Sequence, residues 1–393
     1  MRSAWRLDPE ITFLNHGSYG ACPRAVLAEQ TRLREELEKE PVRFFAVSAG
    51  APDFEARLDE ARAALARLLG AQAEDVAFVP NATTGISTVL ASQRLQPGDE
   101  LLTTDHAYNA CRNALDRLAE RTGAHVKVVT LPFPVRDESE IVEAVLAGAG
   151  PRTRLALLDH VTSPTAIILP IAHLCAALQA RGIDVLVDGA HAPGMLPLDL
   201  DALGAAYYTG NCHKWLCAPK GSAFLHVRRD RQAGVRPLVV SHGANSPRRD
   251  RSRFLLELDW TGTADPTPYL CVPAAIRFLE GLLPGGLPAL QARNHELALA
   301  SRRLLAGALG VPLPCPDSMI GSMASLALPE RLAPGLAAEP LMHEIYRRFA
   351  IEVFTGCWPP PSGRVVRVSA QAYNTIEEVE RLAGALDHLT DPI

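Results

Sequence analysis

Apolar and polar positions recur along this chain with two different periods, and the switches between them mark out its elements. From Asp53 to Leu69 the apolar residues of DFEARLDEARAALARLL fall at helical spacing, and Gly70 stops the run. DVAFVP (75–80) then predicts a strand and TTGISTVLASQRL (83–95) a helix. The pairing repeats with DELLTTD (99–105) as a strand and YNACRNALDRLAERTG (108–123) as a helix ended by glycine. HVKVVTLP, RLALLDHV and IDVLVDGAH predict further strands, with the helices ESEIVEAVLAGAG and PIAHLCAALQARG between them. Strands alternating with helices of this length predict βαβ units and a mostly parallel sheet, whose ligands bind at the carboxyl ends of its strands.

Past residue 264 the pattern changes. ADPTPYLCVPAAIRFLEGLLPGG begins a helical stretch, and helices follow around 288–307 and 338–350. Short strands are expected at SMASLAL and RVVRVS, and TIEEVERLAGALDHL predicts a last helix with Thr375 as N-cap. The reading is an α/β fold in three parts: a short segment (1–20), a large unit (21–264) and a small α+β unit (265–393).

Composition narrows the class. With 393 residues, 48% hydrophobic and 21% charged, the chain can bury sizeable cores. A net charge of -5 gives no reason to expect a nucleic-acid or anionic-membrane partner. The opening MRSAWRLDPEITFLNHG lacks the apolar core of a signal peptide, and no uncharged apolar run is long enough for a membrane span. Eight cysteines (22, 111, 175, 212, 217, 271, 315, 357) lack CxxC pairing, and several lie in apolar segments, which predicts reduced thiols and a cytoplasmic protein. The run Cys212–His213 with Cys217 offers too few ligands at odd spacing for a metal site.

Three stretches carry candidate chemistry. In IDVLVDGAHAPG an apolar strand ends in Asp188, where a carboxylate points into the ligand crevice; a turn or cap aspartate is the plainer alternative. In AAYYTGNCHKWLCAPKG, Lys214 stands between His213 and Trp215 in a charge-poor segment. Desolvation there would lower its pKa and make it a nucleophilic amine, against the alternative of a surface lysine. The two read more strongly together, since an aldehyde cofactor with a protonated pyridine ring needs one amine and one anion. In FVPNATTG, Thr83 and Thr84 fall where a strand gives way to a helix, suited to a phosphate or simply to a cap.

The motifs NATTG, TDHAYNA, DHVTSPTA, VLVDGAHAPG, YTGNCHKWLCAPKG, DWTGTADP and VRVSAQAYNT together resemble the class V aminotransferase family. Within it, FLNHGSYGACP and PVRFF are similar to the isopenicillin N epimerase-like branch, which also holds C–S lyases. The resemblance spans about residues 10–385. It implies the aspartate-aminotransferase-like architecture (fold type I), pyridoxal 5'-phosphate as cofactor, an amino-acid substrate and a homodimer with shared active sites. It further implies that Lys214 holds the cofactor as a Schiff base and shuttles the α-proton, with Asp188 on the ring nitrogen. Thr83, Thr84, His213 and Asn211 would hold the phosphate, although Asn211 replaces a hydroxyl found in related cysteine desulfurases. His106 or Tyr108 would stack on the ring, with Ser163 and His191 beside it, and Thr263 would reach a neighbouring subunit's phosphate. Arg367 would clamp the substrate carboxylate, with a surface strand arginine as the alternative; Asn15, His16 and Arg43 would lie on the substrate side. Cys357 sits where desulfurases carry a mobile cysteine, but three following prolines make its segment stiff, so a non-catalytic cysteine is expected. The expected activity is amino-acid epimerisation. The alternatives are a C–S lyase, a desulfurase or aminotransferase, and a non-catalytic protein of the same fold. His106, Tyr108, His16 and Tyr19 are candidates for the second acid that epimerisation needs.

Overall fold

The computed structural model describes residues 1–45 and 54–389. Asp53, expected to open a helix, and residues 390–393, at the end of the small unit, lie outside the described residues. Among those described, twelve strands run in chain order as β1 (Thr12–Phe13), β2 (Val76–Val79), β3 (Glu100–Thr104), β4 (His125–Val129), β5 (Thr153–Asp159) and β6 (Asp184–Asp188). They continue as β7 (Tyr207–Asn211), β8 (Ala223–Val227), β9 (Met323–Ala327), β10 (Ile351–Glu352), β11 (Phe354–Cys357) and β12 (Arg364–Ser369).

Seven strands form one sheet in the order β2-β8-β7-β6-β5-β3-β4. Only β8 runs antiparallel to its neighbours. Its central strands are apolar runs because both faces are covered. Leu155, Leu157 and Leu186 enter one core, while Ala156, Leu158, Val185 and Val187 enter another. That alternation is the two-residue period of a strand expressed as two hydrophobic layers. The helices Ala82–Ser92, Asn109–Thr122, Glu138–Gly148 and Ile171–Gln179 fall where periodicity places them. Gly123, at φ 73°, ends the second of these in the left-handed conformation that glycine adopts without strain.

The C-terminal part builds a three-stranded antiparallel sheet, β11-β12-β9, covered by the helices Gly286–Leu309, Ala338–Phe349 and Ile376–Asp387. The last opens with the Thr375–Glu378 capping box. One pairing has no local sequence signal: β1 lies parallel to β10, with Thr12 beside Ile351 and Phe13 beside Glu352. It carries the start of the chain across to the C-terminal part and then over the carboxyl end of the large sheet. At Gly20 (φ 71°) a Cβ would come within 2.0 Å of the His213 carbonyl oxygen, so the N-terminal backbone rests directly on the turn that bears Lys214.

Candidate active site

Lys214 lies three residues past the end of β7, in a turn closed by the Cys217 N–H donating to the Lys214 carbonyl at 2.9 Å. His16 binds the same carbonyl at 3.0 Å through Nε2, and its Nδ1 meets the Tyr373 hydroxyl at 2.7 Å. His16 is therefore fully buried behind the lysine backbone, engaged at both nitrogens. The amine itself is 3.2 Å from His191 Nε2. The Trp215 indole, which can only donate, faces His191 Nδ1 at 3.4 Å. Nδ1 must then accept, so a neutral His191 carries its hydrogen on Nε2 and can offer it to the amine once that amine has lost its proton. Burial first, and the charge of Arg367 second, hold Lys214 down to about 8 from the ordinary 10.5, with Asp188 pulling the other way.

Asp188 ends β6, buried, with one carboxylate oxygen accepting the Ala190 N–H at 3.0 Å. The other accepts from the Cys111 thiol at 3.1 Å. Sequence reasoning missed Cys111, because nothing in helix periodicity says which strand end a buried thiol will meet. Asp159 is the direct neighbour of Asp188 in the sheet register, and burial beside that second carboxylate raises its pKa well above the ordinary value. Asp188 influences Lys214 electrostatically, yet among the described residues no ion pair joins them. A buried carboxylate and a buried amine thus lie near each other without direct contact.

Arg367 is the third charge. It projects from the centre of β12, is 1% exposed, and lies with Cζ 4.2 Å from the centre of the Phe354 ring. Its guanidinium donates to the Ser163 carbonyl at 2.5 Å, the Ser163 hydroxyl at 3.3 Å and the Ser18 hydroxyl at 3.2 Å. Nε has no partner, and among the described residues no carboxylate pairs with it. Burial lowers its pKa to about 10. A dry cation held only by neutral oxygens is poised for an anion from outside the protein. Lys214, Arg367, Ser163, Asn15, Tyr19 and Tyr108 all line one cavity of about 610 Å³.

The other expected residues divide around it. Asn211 is buried and accepts the Ala82 N–H at 2.9 Å, while Asn81 accepts the Thr84 N–H at 2.8 Å; Thr83 and Thr84 thereby sit in the first turn of their helix, above the end of β7. His213 engages the Ser222 carbonyl at 2.9 Å through Nδ1. His106 is buried against Trp358 (ring centres 4.1 Å) and bonded to the Thr165 hydroxyl at 2.7 Å, away from the cavity walls, whereas Tyr108 is on them. Thr263 is exposed, in a surface stretch (261–265). Arg43 is also exposed, 3.4 Å from Glu40, and does not line the cavity. Cys357 donates to the Pro361 carbonyl at 3.2 Å.

Residues 13–382 match the family model described as aminotransferase class-V. The chain belongs to that family. It is 40% identical to the isopenicillin N epimerase of Streptomyces clavuligerus, over 99% of this chain and 97% of that one. It is 32% identical to a probable chloroplastic L-cysteine desulfhydrase of Arabidopsis thaliana, over 97% of this chain and 83% of that one. Among solved structures, the cystine C–S lyase C-DES superposes with a TM-score of 0.80 at 22% identity, covering 98% of each chain. The class V member described here is thus a fold type I enzyme whose cofactor is pyridoxal 5'-phosphate. Its residues fit that group: a buried amine of lowered pKa for the aldehyde, a separate buried carboxylate for the ring nitrogen, and a helix N-terminus flanked by hydroxyls for the phosphate. Among the described residues no helix is long and apolar enough to cross a membrane.

Proposed function

We propose that this chain is an amino-acid epimerase that removes and returns the proton at Cα of an α-amino acid. The observation that carries the reading is one cavity lined by a buried amine of lowered pKa and an anion-seeking arginine, with the buried Asp188 carboxylate close enough to act on that amine electrostatically. Lys214 would hold the cofactor, Asp188 its ring nitrogen, and Thr83, Thr84 and His213 its phosphate, with Asn211 fixing the helix start beneath. Pyridoxal phosphate, when bound, supplies an electron sink that acidifies the hydrogen on Cα.

The protein's own residues do the rest. Arg367 receives the substrate carboxylate in a bidentate grip, and Asn15 and Ser163 stand beside it. Tyr108 covers the ring face, a role for which its place on the cavity wall suits it better than buried His106. The Lys214 amine, half deprotonated near pH 8, takes the α-proton on one face in its neutral form, and His191 keeps it oriented. Returning a proton to the other face needs a second acid. Of the four candidates, His16 and His106 are occupied inside the protein, and Tyr19 reaches the cavity with an exposed side chain, so the Tyr19 hydroxyl is assigned that step.

The likeness to L-cysteine desulfhydrases favours a second reading, C–S lyase chemistry, which shares the proton abstraction and needs no far-face acid. We place the enzyme in the cytoplasm, as a homodimer in which exposed Thr263 reaches the neighbouring phosphate. One experiment separates the readings: incubation of the holoenzyme with L-amino acids in deuterated water. Deuterium at Cα with loss of optical purity, and exchange without racemisation in Tyr19→Phe, is the expected result. Release of pyruvate and ammonia without racemisation would replace epimerisation with the lyase reading.

A further inference from the structure

The cavity that Lys214 and Arg367 line extends past them to a wall built by the C-terminal part. At about 610 Å³ it falls within the roughly 300–1,000 Å³ of pockets that enclose drug-sized ligands. Its charges are segregated. Lys214 and Arg367 lie at the inner end, and no other lysine or arginine lines it among the described residues. The opposite wall, made by the helix Ala338–Phe349 and by β10 with the start of β11, presents Glu339 and Glu352 among Met342, His343, Tyr346 and Phe354.

Neither glutamate joins an ion pair in the described structure, unlike Glu344 on the same helix as Glu339. Glu344 pairs with Arg347 at 2.7 Å and so leaves the cavity to Glu339. Glu352 is half-buried; its pKa is raised by desolvation alone, the mark of a carboxylate without a cation. It lies two residues before Phe354, the ring on which Arg367 rests, so it is fixed relative to the carboxylate-binding end by one short stretch of chain. A second feature points to a ligand in this space: the buried, unpartnered Nε of Arg367 at its inner end.

We infer that the substrate is an α-amino acid with an extended side chain ending in a cation, an ammonium or guanidinium received by Glu352 and Glu339 while Arg367 holds the α-carboxylate. This rests on the reading of Arg367 given above. The aliphatic stem would lie along Met342, Tyr346 and Phe354. A side chain ending in an anion is rejected by the same two carboxylates, since like charges brought together in a partly desolvated site repel. Glu352 and Glu339 then determine which amino acid is processed, and Lys214 what is done to it.

The test is a visible-spectrum titration of the pyridoxal-phosphate-loaded protein with L-lysine, L-norleucine and L-2-aminoadipate, side chains of similar length ending in a cation, a methyl group and an anion. L-lysine is expected to half-saturate the spectral change at a concentration about tenfold below L-norleucine, as a charged hydrogen bond supplies, with L-2-aminoadipate weakest. Glu352→Gln should cut the lysine preference severalfold, and adding Glu339→Gln, at an exposed position, should abolish it. L-2-aminoadipate saturating at or below L-lysine, or the order surviving the double substitution, would overturn the inference. Arg367→Met keeps the two readings apart. It should weaken all three ligands alike; equal affinity in that variant, or no spectral response to any of the three in the wild type, would bring down the carboxylate clamp and this inference with it.

Discussion

Replacing Arg367 with methionine separates what this residue does for the fold from what it does for the ligand. The side chain is 1% exposed and its charge is opposed by no carboxylate among the described residues. Held at about 10 rather than the ordinary 12.5, its guanidinium is disfavoured in the fold by about 3 kcal/mol at 1.36 kcal/mol per pH unit. The sign follows: a cation whose pKa is depressed by folding costs stability at every pH where the unfolded chain is protonated, neutral pH included. Methionine removes that cost, and it also removes the hydrogen bonds to Ser163 and Ser18, each worth about 1 kcal/mol or somewhat more to a charged donor. The two effects nearly cancel, so denaturant unfolding of the apoprotein should give a stability within about 1 kcal/mol of wild type. Ligand affinity should not be spared. Truncating one partner of a buried charge pair costs about 2–5 kcal/mol, or roughly 30- to 5,000-fold in half-saturating amino acid. With the neighbouring positive charge gone, the Lys214 amine should titrate above about 8. A stability loss of about 3 kcal/mol or more with unaltered amino-acid binding would refute the argument and make Arg367 a structural residue.

Other outcomes follow from the same geometry. Lys214→Ala should leave the protein folded but without the visible absorption of lysine-bound cofactor, read from a spectrum after desalting. Capture of pyridoxal phosphate by the apoprotein should quicken as pH rises through about 8, because the neutral amine is the nucleophile and its fraction grows there; a rate flat between pH 7 and 9 would contradict this. Gly85→Ala would set a Cβ 2.2 Å from the Thr209 hydroxyl oxygen and 2.9 Å from its Cβ. A loss of roughly 1–3 kcal/mol in denaturant unfolding is expected, with weaker cofactor retention as the helix start is displaced. Cys357→Ser should leave turnover unchanged, measured beside wild type on the same amino acid, since that thiol is held on its own loop.

Much of this could be read from the chain because its signals are local. The apolar run that ends in Asp188, the glycine after Thr122 and the charge-poor setting of Lys214 each depend on residues within a few positions of one another, and each lies where periodicity and desolvation place it. What escaped was non-local. Cys111 meets Asp188 across 77 residues and Ser18 meets Arg367 across 349, and no spacing rule encodes such encounters. His106 and Tyr108 differ by two positions at the start of one helix; which of them faces the cavity was settled by Thr165 and Trp358, partners remote in sequence. The strand Phe354–Cys357 was likewise missed, because its pairing with Arg364–Ser369 crosses a proline-rich turn that offers no alternating pattern.

The parallel pairing of Thr12–Phe13 with Ile351–Glu352 has a consequence for biosynthesis. Asn15 and Ser18 can be anchored in place only after residue 352 has left the ribosome, and Arg367, which Ser18 touches, emerges later still. For most of translation the large sheet can assemble while its reactive lysine faces an unfinished chamber. The groups assigned to the cofactor, from Thr83 to Lys214, are therefore synthesised well before the carboxylate site is complete, and a chain ending before Arg367 would keep the first and lack the second.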